Sequence, residues 1–185
     1  MRIGQSLGGE LGNSLADEED AILAEMRAAV ESQKIGREPA GWVTDGRQLR
    51  MIIPLDIPAL TIGTANLALR AVRAAPDRDI SATLVVTYKG RDFHAWRYDW
   101  LPPHPHVNLR GPPHLRGLTV ETGIHDFAEN AVLGLRRMHA ENLPICVPVP
   151  YVPHDFDAFV REVCNILWIV PTEQVLPPPW SPTFI

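Results

Sequence analysis

The sequence predicts an α+β protein: an antiparallel β-meander of four or five strands packed by C-terminal helices, with a further helix near the N-terminus. Three observations carry this. Residues 80–88, ISATLVVTY, are rich in β-branched side chains. Phe156, Phe159, Val160, Val163, Cys164 and Leu167 recur at helical spacing behind Asp155, a helix-capping residue. Ile22, Met26, Ala29 and Val30 repeat that spacing behind the acidic run 17–20. The 185 residues suit a single domain over 1–185, with 1–13 as a flexible start and 176–185, LPPPWSPTFI, as a proline-rich tail.

Along the chain, Ser14 and Asp17 read as the cap of the first helix, and Asp17, Glu18, Glu19 and Asp20 complement the positive end of its dipole. Gly36 and Pro39 close it. QLRMIIPLDIP (48–58) and NLALRAVRA (66–74) are the next two strands, the second alternating imperfectly. APDRD (75–79) is a turn into ISATLVVTY, and Lys89-Gly90 a tight turn into RDFHAWRYDW (91–100). Strict alternation there sends Phe93, Ala95, Arg97 and Asp99 one way, and His94, Trp96, Tyr98 and Trp100 the other.

Asp126 with Glu129 caps a helix carrying Phe127, Ala131, Leu135 and Met138. LPICVPVPYVP (143–153) is extended but too rich in proline for a central strand.

Composition narrows the function classes. No apolar run approaches the ~20 residues of a membrane span, and the N-terminus lacks the apolar core of a secretory signal. Cys146 and Cys164 then read as reduced thiols in a cytoplasmic protein. A net charge of −5 argues against a chain coated in nucleic acid. Its distribution is uneven, however. Residues 88–116 hold five basic side chains against Asp92 and Asp99, a net of +3, with four of the seven histidines. Such a strip attracts a polyanion at one face.

The chemistry concentrates in residues 97–114, RYDWLPPHPHVNLRGPPH, and three readings compete for it. In the first, His104, His106 and His114 supply base and acid, Arg97 and Arg110 clamp a phosphate, and RNA is cleaved without a metal. Trp96, Tyr98 and Trp100 would stack bases, and Asn108 would add a substrate contact. In the second, His104, His106 and His114 with Asp99 ligate a metal ion. Their spacing matches no strong zinc pattern, so no tightly held metal or other cofactor is expected. In the third, the segment only caps the end of the sheet, with Asp99 neutralising Arg97.

Arg97-Tyr98-Asp99 followed by PPHPH and then PPH resembles the TumE family, toxins of bacterial toxin–antitoxin pairs, over residues 82–140. The resemblance implies Arg97, Tyr98, Asp99, His104 and His114 as site positions, an RNA-directed activity, and a cognate antitoxin or other protein as partner. Two departures stand out: Trp100 follows Asp99 where the family has Asn, and Leu115-Arg116 follows His114 where it has a further histidine. A looser likeness is to ubiquitin-conjugating enzymes, from the order helix, meander, HPHVN, helices. That family's cysteine nucleophile follows closely; here the next cysteine is Cys146, 40 residues past His106. The likeness therefore implies a non-catalytic protein-interaction module.

Overall fold

A computed structural model describes residues 8–139 and 143–180, with side chains from Ala16 onward. Helix α1 (Gly8–Glu31) leads into short strands β1 (Lys34–Gly36) and β2 (Val43–Asp45). Four long strands follow: β3 (Gln48–Asp56), β4 (Thr64–Val72), β5 (Ile80–Tyr88) and β6 (Arg91–Trp100). Beyond them lie β7 (His106–Val107), β8 (Thr119–Val120), β9 (Gly123–His125), helix α2 (Phe127–Ala131), β10 (Val147–Pro148), α3 (Phe156–Ile166) and β11 (Ile169–Pro171). The fold is α+β, as the patterning predicts.

The expected meander is β3 to β6, each strand antiparallel to the next, and short strands extend it on both sides. The main sheet runs β10-β9-β6-β5-β4-β3-β1-β11, with β2 also pairing β3. Only β1 with β11 is parallel among these pairings. The added strands are two or three residues long, too short for hydrophobic period to announce them. Lys89 and Gly90 both take positive φ, 49° and 74°, as a two-residue turn matched to strand twist requires.

Helices α1 and α3 contribute to one core with the same sheet. Ile22, Met26 and Ala29 of α1, Phe159 and Val163 of α3, and Leu67, Leu69, Leu84 and Trp96 of the strands are buried together. Helix α1 lies against β5 and β6, in the middle of the sheet and not along an edge.

Three expectations need correction. Helix α1 begins at Gly8, so Ser14 lies inside it and is not its cap; of the start expected to be flexible, residues 8–13 are helical and 1–7 lie outside the described residues. The helix after Asp126 is capped as expected, Asp126 accepting from the Ala128 N–H at 2.8 Å, but it lasts five residues. Val132 caps its end, and after Gly134, at φ 82°, a 3₁₀ turn at Leu135–Arg137 carries the chain on.

Third, β6 does not alternate strictly. Leu84 pairs Trp96 while Val85 pairs His94, so Ala95 is the extra residue of a β-bulge. The bulge inverts the order of faces: Phe93 joins Trp96, Tyr98 and Trp100 in the core, and Arg97 and Asp99 face away from it. Of the proline-rich tail, residues 181–185 lie outside the described residues, while Trp180 packs edge-on against Phe156 at 6.1 Å. Among the described residues no helix is long and apolar enough to cross a membrane.

One buried side chain ties the two long helices together. Lys34 is fully buried, and its ammonium donates to the carbonyls of Val30 at 3.0 Å, Ser32 at 2.6 Å and Leu167 at 2.6 Å. These carbonyls sit at the C-terminal ends of α1 and α3, where helices leave acceptors unsatisfied and the dipole is negative. Burial lowers the ammonium to about 8, so it remains protonated at neutrality.

Lys34→Met keeps the apolar stem and removes all three donors. It should lower stability by about 2–4 kcal/mol, the cost of stranding buried acceptors. Urea unfolding at pH 7 measures this; an unchanged midpoint would show that the carbonyls find other partners. Removing the exposed Lys89–Glu18 pair serves as the control and should change little.

Candidate active site

The sheet face turned away from the helices carries a polar row read directly from register. Arg70 pairs Ser81, Ser81 pairs Asp99, and one step along, Arg97 pairs His125. The chain after β6 folds back over this face, and together they enclose a cavity of about 320 Å³. Arg70, Asp79, Arg97, Asp99, His104, His106, Glu121, His125 and Cys146 are among the residues lining it. Asp79 and Leu101 both take positive φ, 51° and 46°, and the Asp79 N–H donates to the Leu101 carbonyl at 2.9 Å. A left-handed leucine is strained, and such backbone persists where surrounding structure holds it.

Asp99 is the electrostatic centre. One carboxylate oxygen accepts from Arg97 Nε at 2.7 Å and the other contacts His125 Nε2 at 3.1 Å. Burial alone would raise its pKa, but the His125 hydrogen bond and the Arg97 charge outweigh it and hold the carboxyl below its usual range. Arg70 is likewise paired with Asp79, at 2.7 Å. The terminal nitrogens of Arg97 make no hydrogen bond among the described residues.

Two imidazoles meet edge to face beside Asp99: His106 and His125, centroids 4.8 Å apart. Both nitrogens of His125 face acceptors, Asp99 on one side and the Leu143 carbonyl at 2.6 Å on the other. Both contacts are hydrogen bonds with an ionised Asp99 only when the ring carries two protons. His106 differs. Burial, and then the neighbouring His125, push its pKa below the ordinary imidazole value. Its Nε2 lies 3.1 Å from the Pro144 carbonyl, which can only accept, so Nε2 holds the proton and Nδ1 keeps a lone pair. No partner for Nδ1 is present among the described residues.

The residues expected to share one site are thus divided. Arg97, Asp99, His104 and His106 line the cavity, while His114 and Arg110 are exposed on the hairpin beyond it. Trp96, Tyr98 and Trp100 are at most 1% exposed, so none offers a face to a base. They pack in the core instead: Trp100 lies nearly parallel to Phe159 of α3 at 5.3 Å, Tyr98 meets the same ring edge-on at 5.1 Å, and Trp96 meets Tyr98 edge-on at 6.2 Å.

Asn108 is also fully buried and acts as a brace, not a substrate contact. Its amide donates to the Leu115 and Cys146 carbonyls at 3.1 and 2.8 Å and accepts from the Cys146 N–H at 2.8 Å. Asn130 clamps Ile145 in the same way, both bonds 2.9 Å. Two side-chain amides thus stand in for a partner strand beside a proline-bounded segment. Gly123 completes the fit: a Cβ there would come within 2.6 Å of Cys146 Sγ.

His125, Arg70 and Asp79 were not among the expected site residues. The β4–β5 register, bracketed by the APDRD turn, could have brought Arg70 and Asp79 together; nothing local marks His125, whose role depends on β9 joining β6. Cys146 is buried with its thiol pushed up to about 12, which leaves no thiolate nucleophile. Among the described residues no three His, Cys, Asp or Glu side chains are grouped to hold a metal ion.

Two outcomes follow from this geometry. A carboxyl whose folded pKa is depressed contributes stability above its unfolded pKa, and loses it as pH falls through the folded value. Asp99→Asn should therefore be less stable than wild type at pH 7, with the gap closing below about pH 4, the ordinary carboxylate range. Acid titration of the unfolding midpoint tests this, and a constant gap would remove Asp99 from the linkage. Asn108→Ala should cost about 2–4 kcal/mol by stranding the Cys146 backbone. Normal stability in that variant would refute the brace.

No family model, curated protein or solved structure matches the chain, so its chemistry is read from the cavity's own side chains.

Proposed function

We propose that the cavity on the polar face is an acid–base site that cleaves RNA without a metal, in a protein of the TumE-like, toxin–antitoxin kind. The observation that carries this is the state of His106: half-buried, its pKa lowered, its Nε2–H given to a carbonyl and its Nδ1 left as a base beside Arg97. In the reaction His106 Nδ1 takes the proton of a ribose 2′-hydroxyl and that oxygen attacks the adjacent phosphorus. The bond to the 5′-oxygen breaks, and His104, exposed at the cavity, returns a proton to the leaving oxygen. Arg97 meets the phosphate through its terminal nitrogens, its Nε held by Asp99. His125 acts through Asp99 and is a positioning residue.

A second reading, a protein-interaction module with the outline of a ubiquitin-conjugating enzyme, draws support from the order α1, β3–β6 meander, proline-rich crossing, α3. Loss of a partner protein on deletion of residues 176–185, with RNA left intact throughout, would favour it.

The decisive assay is incubation of purified protein with total RNA, with and without divalent ions, alongside induced expression. Cleavage should follow a bell in pH, its acidic limb below the ordinary imidazole value because His106 must be neutral. His106→Ala and His104→Ala should each lower the rate on the order of 10²- to 10⁴-fold. Harmless expression together with intact RNA under all conditions sinks the proposal.

A further inference from the structure

We infer that the hairpin closing the cavity, residues 104–120, is a preformed arm that tracks the backbone of a single-stranded RNA away from the reacting phosphate. The inference rests on the reading of the cavity as an RNA site and adds to it the path of the strand beyond the cavity, along the hairpin to Arg110 and Arg116.

Three observations support it. From Trp100 to Val120 the chain has no acidic residue, in a protein whose net charge is −5. Its charges are also sorted by position. His104 and His106 stand at the base and line the cavity, while Arg110, His114 and Arg116 stand at the tip and are exposed. Neither arginine of the tip is paired with a carboxylate among the described residues; Arg116 reaches the Gly111 carbonyl at 3.2 Å. This contrasts with Arg70 and Arg97, each held by an aspartate inside the cavity. Leu109, 82% exposed beside Arg110, gives the tip an apolar surface for a base.

The arm is rigid. Pairing of β7 with β8 continues past the ladder, Asn108 N–H donating to the Leu118 carbonyl at 3.0 Å and Gly117 N–H to the Asn108 carbonyl at 2.8 Å. Leu115 is buried beneath it, and the Asn108 amide fixes it to Cys146. A polyanion therefore meets positioned cations, with little ordering entropy left to lose. A mononucleotide seated in the cavity would leave the tip empty; a strand several nucleotides long covers both.

The test measures binding by fluorescence anisotropy, using a labelled unstructured RNA twelve-mer with 2′-deoxy substitution so that cleavage plays no part. Arg110→Gln/Arg116→Gln should weaken binding on the order of tenfold at 0.1 M salt. It should also flatten the slope of log affinity against log salt by about 1.4, two single-strand phosphate contacts. Circular dichroism and the unfolding midpoint confirm that the variant folds. Equal affinity and slope for variant and wild type overturn the inference, as does equally tight binding of a polyglutamate of matched charge, which would make the arm a docking site for acidic protein. Tight, arm-dependent binding of the twelve-mer combined with intact total RNA would sink the cleavage reading and leave the arm standing.

Discussion

Strand β6 carries two incompatible demands on one backbone, and the bulge at Ala95 reconciles them. Beyond it, Trp96, Tyr98 and Trp100 enter the core, the last two against Phe159 of α3, and Arg97 and Asp99 face the opposite side. Without the extra residue, Phe93 would leave the core face on which α1 packs, because a one-residue shift exchanges the faces of a strand. The aromatic side anchors the strand, and that anchoring holds Arg97 and Asp99 in fixed register with β5 and β9.

The fold is closed at its far end by an unusual means. Helices α1 and α3 finish side by side, and Lys34 satisfies the carbonyls of both with one ammonium group. The same residue's N–H donates to the Trp168 carbonyl at 2.9 Å, at the start of the parallel pairing of β1 with β11. A helix end 133 residues away in sequence is thereby joined to the first turn of chain after α1. Buried charge without a carboxylate is costly, and here the helix dipoles offset part of that cost.

Within the cavity, electrostatics divide the histidines by neighbour and not by residue type. Burial, and then His125 at 4.8 Å, disfavour charge on His106 and outweigh the opposing pull of Asp99, whose carboxylate contacts His125 Nε2 at 3.1 Å. The amide clamps of Asn108 and Asn130 keep Ile145 and Cys146 in place, and with them the neighbouring carbonyls of Leu143 and Pro144 that orient both imidazoles.

Sequence alone determined the long elements: the meander, the capped helix α3, the Lys89-Gly90 turn and the clustering of Arg97, Asp99, His104 and His106. Each is a local property, set by side-chain period, cap chemistry or turn residues within a few positions. What only the tertiary structure decided is which of those residues meet. Trp96, Tyr98, Trp100 and Asn108 look polar or aromatic enough for a site, yet core packing of the rings and bonding of Asn108 to Cys146 bury them. His125 carries no local signal, yet three residues of strand pairing set it against Arg97 and Asp99. Such pairings are non-local: their free energy comes from contacts between segments tens of residues apart, and no local period encodes them.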